Sequence, residues 1–182
     1  FGEMPLNRKV SGGKAGILGL GRIGREIADR LTAFKMDIHY FSRLEKKTPD
    51  NWIFYEDPIS LARSVDFLFI ALVGGTETQK LVSKDVIDAL GPNGIIINIS
   101  RGSTIDEEAL LEALQTKKLR GAALDVFAGE PNIDPRFLNL DNVFLQPHQG
   151  SGTIETRAAM SKLQRENLLR FFSNKSLLTP VN

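Results

Sequence analysis

The run "GILGLGRIGREIADRL", residues 16–31, limits the possible folds more than any other stretch of the chain. Gly19, Gly21 and Gly24 stand in G-x-G-x-x-G spacing, after an apolar run with strand character and at the start of a helical period. Each glycine has a mechanical job in a strand–turn–helix unit. The first makes the tight turn, the second lets a pyrophosphate approach the backbone, and the third allows the helix to pack on the strand. A helix beginning there aims unpaired N–H groups and its positive dipole end at an anion. Arg22 adds charge at that point and Ile23 shares the same first turn. The spacing alone is a weak signal, since glycines also mark ordinary turns; the strand before it and the helix after it supply the required context.

The rest of the chain repeats the alternation. Strand character falls near Ala15–Leu20, Asp37–Phe41, Ile53–Tyr55, Asp66–Leu72, Ile95–Ile99, Gly121–Val126 and Val143–Leu145. Helical character falls near Ile23–Phe34, Pro58–Arg63, Lys84–Ala89, Glu107–Thr116 and Ile154–Phe172. The strands read as continuous apolar runs, as expected where helices cover both faces of a parallel sheet. This predicts a Rossmann-type, doubly wound α/β fold with three α/β/α layers. Asp106 is placed to cap a helix with acids in its first turn and lysines in its last. The 182 residues suit one dinucleotide-binding domain, with 1–13 as a linker and 152–182 as a C-terminal helix and tail. A first residue Phe1 in place of Met suggests a fragment.

Composition excludes more than it selects. With Lys+Arg 23 against Asp+Glu 22, the charge balance gives no reason to expect nucleic acid or a membrane surface as partner. The absence of cysteine rules out disulfides and thiolate metal sites and fits a reducing, cytoplasmic setting. Only two histidines are present, so a metal site has little support. His39 lies inside a strand and reads as structural. The apolar run "DFLFIALV" is too short to cross a bilayer.

A dinucleotide pocket of this type commonly carries an acid about 20 residues past the glycines, at the end of the second strand, to hold the adenosine ribose 2′-hydroxyl. Here "DIHYFSRLEKK" carries Ser42 and Arg43, while Asp37 is at the wrong end of the strand. A carboxylate about 4 Å from a phosphate is repelled by roughly 4 kcal/mol near a surface, and an arginine reverses the sign. Ser42 can donate a further bond, and Lys46 or Lys47 can close the pocket. Position in the motif favours NADP over NAD. The plainer alternative is a solvated turn.

Three later strands deliver unusual residues at their carboxyl ends, where ligands sit in open α/β sheets. "SRGST" brings Arg101 beside Ser100, "FAGEP" brings Glu130, and "QPHQGSGT" brings His148. An arginine, a carboxylate and a histidine on one rim make a candidate acid–base site with an anion clamp. Taken singly, each has an ordinary reading as a turn cap, a loop acid or a loop histidine.

The blocks "GILGLGRIG", "GIIINISRGSTIDEEALLEAL", "GAALDVFAGEP" and "LQPHQGSGTIETR" resemble the D-isomer-specific 2-hydroxyacid dehydrogenase family, from about Val10 to the C-terminus. The Ser-Arg pair and the "LLTPV" tail resemble its NADP-linked glyoxylate, hydroxypyruvate and hydroxyphenylpyruvate reductases. The resemblance implies that Arg101 binds the substrate carboxylate, that His148 gives its proton to the carbonyl oxygen, and that Glu130 keeps His148 charged. It also implies that Asp125 meets the nicotinamide amide and that Ser100 lies with the cofactor. NADPH is the implied cofactor, with NAD possible and no metal; a small 2-oxo acid is the substrate, and the intact protein is a homodimer. Two departures stand out: Leu72-Val73 where many relatives carry proline, and Ala128 where an acid is common. The substrate domain that precedes this segment in the family has no counterpart in these residues. Corepressors of the C-terminal-binding type share the pattern and use the cofactor to control assembly, which leaves an NAD(H)-sensing binding protein as the alternative.

Overall fold

A computed structural model describes residues 8–180, so residues 1–7 of the expected linker and the last two residues of the tail lie outside the described residues. The chain divides into two compact units, one ending at Pro147 and one beginning at His148.

The first unit is a seven-stranded, wholly parallel sheet: β1 (Lys14–Leu18), β2 (Asp37–Phe41), β3 (Ile53–Tyr55), β4 (Phe67–Ile70), β5 (Ile95–Asn98), β6 (Gly121–Leu124) and β7 (Val143–Leu145). Its order is β3-β2-β1-β4-β5-β6-β7, so the direction of winding reverses between β1 and β4. The crossovers carry α1 (Arg22–Ala33), α2 (Pro58–Arg63), α3 (Lys84–Leu90) and α4 (Glu107–Gln115). The fold is the expected Rossmann-type α/β arrangement.

Alternating residues of each strand serve opposite faces, and both faces are buried. Ala15, Ile17, Ile38, Tyr40 and Phe67 pack with Ala28 of α1 and with Trp52. Leu18, Leu68, Ile70, Ile96 and Leu124 pack with Leu61 of α2, Val86 and Ile87 of α3, and Leu110, Leu111 and Leu114 of α4. The helices start where local chemistry allows. Asp57 Oδ1 accepts from the Ile59 and Ser60 N–H groups at 2.9 Å, with Pro58 at the first helical position. Those bonds, Ser60's first, hold the Asp57 carboxyl below its ordinary range. Asp106 caps α4 through the Ala109 N–H, as expected.

The strands end earlier than the apolar runs suggest. β1 stops at Leu18, β4 at Ile70, β5 at Asn98 and β6 at Leu124. Ladder bonds run one residue further, from Ala71 N–H to Leu18 O, Ile99 N–H to Ile70 O and Asp125 N–H to Asn98 O. Beyond those bonds the backbone turns out of the sheet, so Leu72-Val73 belongs to a loop. α4 also differs from expectation: no basic residue lies in its last turn. The helix closes at Thr116, and Lys117 takes a left-handed φ of 56°, which puts Lys117 and Lys118 past its end.

The second unit is α5 (Ile154–Phe172), capped by the Thr153 hydroxyl accepting from the Thr156 N–H at 3.1 Å, followed by the tail. The tail doubles back along the helix. Asn167 Oδ1 accepts from the Leu178 and Thr179 N–H groups, and Arg170 donates to Ser176 O. Among the described residues no helix is long and apolar enough to cross a membrane.

Candidate active site

The register brings the carboxyl ends of the strands into one row: Leu18 lies opposite Phe41 and Ile70, Ile70 opposite Asn98, Asn98 opposite Leu124, and Leu124 opposite Leu145. The loops that follow all leave from that edge, next to the winding reversal where such sheets bind ligands.

At the β1–α1 turn each glycine meets a different constraint. Gly19 has φ +97°, and a Cβ there would sit 2.8 Å from Ala71 O. Its N–H donates to Phe41 O, tying the end of β1 to the end of β2. A Cβ on Gly24 would lie 2.1 Å from Gly19 O, so the helix approaches the turn too closely for any side chain. Gly21 differs: its φ is −83° and a Cβ would meet no protein atom within 4 Å. Nothing within the protein demands glycine there, and the space before it is open. α1 has no side-chain cap, leaving its N-terminal donors for a ligand.

Of the other expected cofactor residues, Arg22, Ile23 and Lys46 line one cavity of about 790 Å³ together with Gly21. Ser42 and Arg43 stand outside it. Ser42 is buried, and its hydroxyl donates to Leu44 O at 2.5 Å, so its single proton closes the turn. Arg43 is exposed and pairs with Glu77 at 3.2 Å, from the loop after β4. His39 is buried, with Nδ1 3.0 Å from the Tyr55 hydroxyl; burial, then the nearby Lys14, depress its pKa, against the opposing pull of Asp37.

The loops after β4, β5 and β6 converge. A Cβ on Gly74 would fall 2.8 Å from Arg101 Cγ, and one on Gly102 would fall 2.0 Å from the Phe127 carbonyl carbon. Arg101 therefore lies between the other two loops. Its main chain is fixed by a buried polar group that the sequence did not single out. Arg101 O accepts from Asn98 Nδ2 at 3.2 Å, Thr104 Oγ1 at 2.6 Å and Thr104 N–H at 3.1 Å. Asn98 Oδ1 accepts in turn from the Ser100 N–H at 3.0 Å, and its hydroxyl lies equally close. Asn98 and Thr104 are fully buried and Ser100 nearly so. Ser100, expected beside the cofactor, belongs to this scaffold, and the Arg101 guanidinium donates to Ser100 O at 2.6 Å.

Asp125 is buried directly after β6, where the loop begins. Glu130 Oε1 accepts from the Phe127 N–H at 2.8 Å, closing that loop on itself. Glu107, in the first turn of α4, accepts from the Ala128 N–H at 2.9 Å. The structure thus gathers Arg101, Asp125 and Glu130 on adjacent loops. His148 opens the second unit, with a left-handed φ of 49°.

Residues 2–150 match the family model for the D-isomer specific 2-hydroxyacid dehydrogenase NAD binding domain. The chain belongs to this family. Among curated relatives of this dehydrogenase domain, the chain is 48% identical over 181 residues to a hydroxyphenylpyruvate reductase of Plectranthus scutellarioides, covering 100% of this chain and 58% of that protein. It is 46% identical over 178 residues to a 2-ketogluconate reductase of Gluconobacter oxydans, covering 97% and 57%. A crystal structure of an NADPH-dependent glyoxylate/hydroxypyruvate reductase from Sinorhizobium meliloti, in complex with NADP and malonate, superimposes with a TM-score of 0.93 at 43% identity, covering 100% of this chain and 56% of that one. The chain thus spans little more than half the length of the dehydrogenases it matches.

Proposed function

We propose that the protein to which this domain belongs reduces a small 2-oxo acid of the glyoxylate or hydroxypyruvate type to the D-2-hydroxy acid, with NADPH as preferred cofactor. The observation that carries the reading is the convergence of the Arg101 loop with the Asp125–Glu130 loop, where Gly102 lies against the Phe127 backbone. In this reading the Arg101 guanidinium turns from Ser100 O to the substrate carboxylate, which its planar fork suits. His148 donates a proton to the substrate carbonyl oxygen, with Glu130 as its acid–base partner. Asp125 takes the nicotinamide amide. Gly21, Arg22 and Ile23 face the pyrophosphate, and Arg43, with Lys46, takes the 2′-phosphate in place of Glu77. The bound cofactor supplies the hydride.

The test is a paired titration of the full-length protein with NADPH and NADH, beside a hydroxypyruvate reduction assay. NADPH is expected to bind tighter by about tenfold or more, with the difference lost in Arg43→Ala. Reduction is expected to disappear in His148→Ala. Full activity of His148→Ala overturns the catalytic assignment. Equal binding, or a preference for NADH, makes Ser42-Arg43 a surface turn and returns the protein to the NAD-linked branches, including sensors.

A further inference from the structure

The loop between β2 and β3, residues 42–52, carries both Arg43 and Lys46 and has no regular structure until β3. It is nevertheless braced along its length. Ser42 closes its first turn on Leu44 O. The Tyr40 hydroxyl, from within β2, donates to Lys46 O and accepts from Lys46 N–H, both at 3.2 Å. The Trp52 N–H donates to Pro49 O, and the Trp52 side chain is buried in the core. The remaining brace comes from outside the loop. Arg25, one residue past the last glycine of the motif on α1, sets its guanidinium 5.2 Å above the Trp52 ring centroid and donates to Lys47 O.

We infer that Arg25 is a positioning residue for coenzyme selectivity: by lying over the Trp52 ring and holding Lys47 O, it fixes the loop that presents Arg43 and Lys46 to a 2′-phosphate. The inference rests on the assignment of that phosphate to this loop. Arg25 is suited to the task because a guanidinium can lie over the face of an indole and still donate through its N–H groups. A lysine ammonium, a compact point charge, does not do both. The loop is otherwise held by contacts within itself, by Tyr40 and by the burial of Trp52 in the core, and Arg25 adds the polar tie from the helix that starts at the β1–α1 turn to the Lys47 carbonyl. A main chain fixed at Arg43 and Lys46 before binding lowers the cost of ordering that segment on the phosphate. NADH lacks that phosphate and gains nothing from it.

The discriminating variant is Arg25→Lys in the full-length protein, which keeps the charge and removes the planar fork. NADPH is expected to bind about five- to tenfold more weakly, with NADH changed less than about twofold. Amide exchange over residues 43–50 is expected to quicken, and the melting temperature to stay near that of the parent. Trp52→Phe, with a smaller ring beneath the guanidinium, is expected to move NADPH binding in the same direction by less. Unchanged NADPH affinity in Arg25→Lys, with affinity lost in Arg43→Ala, overturns the inference and leaves the functional reading intact. Equal weakening of both coenzymes assigns Arg25 a general structural role and also overturns it, as does weaker NADPH binding without faster exchange. No effect of Arg43→Ala removes the functional reading and the inference together.

Discussion

The rim of the sheet is built in two ways. On the β5–β6 side, Arg101 is held by buried groups and by backbone packed on backbone, with Gly102 pressed against Phe127. On the β2–β3 side, Arg43 stands in water, paired with a Glu77 that is nearly as exposed. A buried, fully bonded polar group is costly to disturb, because any donor or acceptor left over has no water to turn to. An exposed ion pair contributes little and exchanges readily for a better partner. The side proposed for chemistry is thus rigid, and the side proposed for choosing the cofactor is open to adjustment.

Breaking the rigid side is expected to give the largest effect. Gly102→Val places side-chain atoms against the Phe127 carbonyl with no flexible neighbour to yield, and is expected to cost about 3 kcal/mol or more, read as a fall of roughly 6–12 °C in melting temperature. A stable Gly102→Val protein would show that the loops separate at little cost. Gly21→Ala tests the other side of the contrast, since its methyl group meets no protein atom. Stability is expected to hold while NADPH and NADH both bind more weakly by about tenfold or more. Unaltered binding would show that the pyrophosphate passes elsewhere.

Thr104→Val sharpens the comparison by removing one donor to Arg101 O without changing the shape of the side chain. It is expected to cost about 1–3 kcal/mol of stability and to raise KM for the 2-oxo acid more than it changes cofactor affinity, with Thr104→Ser restoring both. Acid is expected to act more gently, through His39. Its depressed pKa means that the unfolded chain binds the proton more readily, so stability is full above pH about 6.5 and declines as pH falls below that value. Unfolding midpoints at pH 7.5 and 5.5 read the decline, which is expected to shrink in His39→Gln. The smallest effect belongs to the exposed pair. Glu77→Gln frees Arg43 and is expected to tighten NADPH by about two- to fivefold while leaving NADH unchanged.

The same contrast governs what the sequence made legible. Continuous apolar runs located the seven strands, because burial on both faces leaves that pattern whatever the tertiary detail, and helical patterns located the five α-helices. The strand ends were overrun where Leu20, Leu72, Ile99 and Val126 continue an apolar run into a loop that leaves the sheet. Arg101 and Glu130 stood out by charge type and position. Asn98, Ser100 and Thr104 form one hydrogen-bonded group beside the Arg101 carbonyl, yet Ser100 was expected only beside the cofactor, and Asn98 and Thr104 read in sequence as ordinary polar residues near a turn. Arg25 was hidden for a different reason: Trp52 lies 27 positions on, and helical periodicity carries no information about a partner on another element. The return of the tail to Asn167 was equally silent, since an asparagine on an exposed helix predicts no particular partner.

The order of the strands carries a consequence for how such a protein diversifies. β2 and its loop lie on one flank of β1, while β4, β5 and β6 lie on the other. In the proposed reading, the loop that chooses the coenzyme therefore lies across β1 from the loops that bear Arg101 and Glu130. On that reading, substitutions that retune the coenzyme preference need not touch the reactive groups, and changes to those groups need not disturb the hold on the dinucleotide.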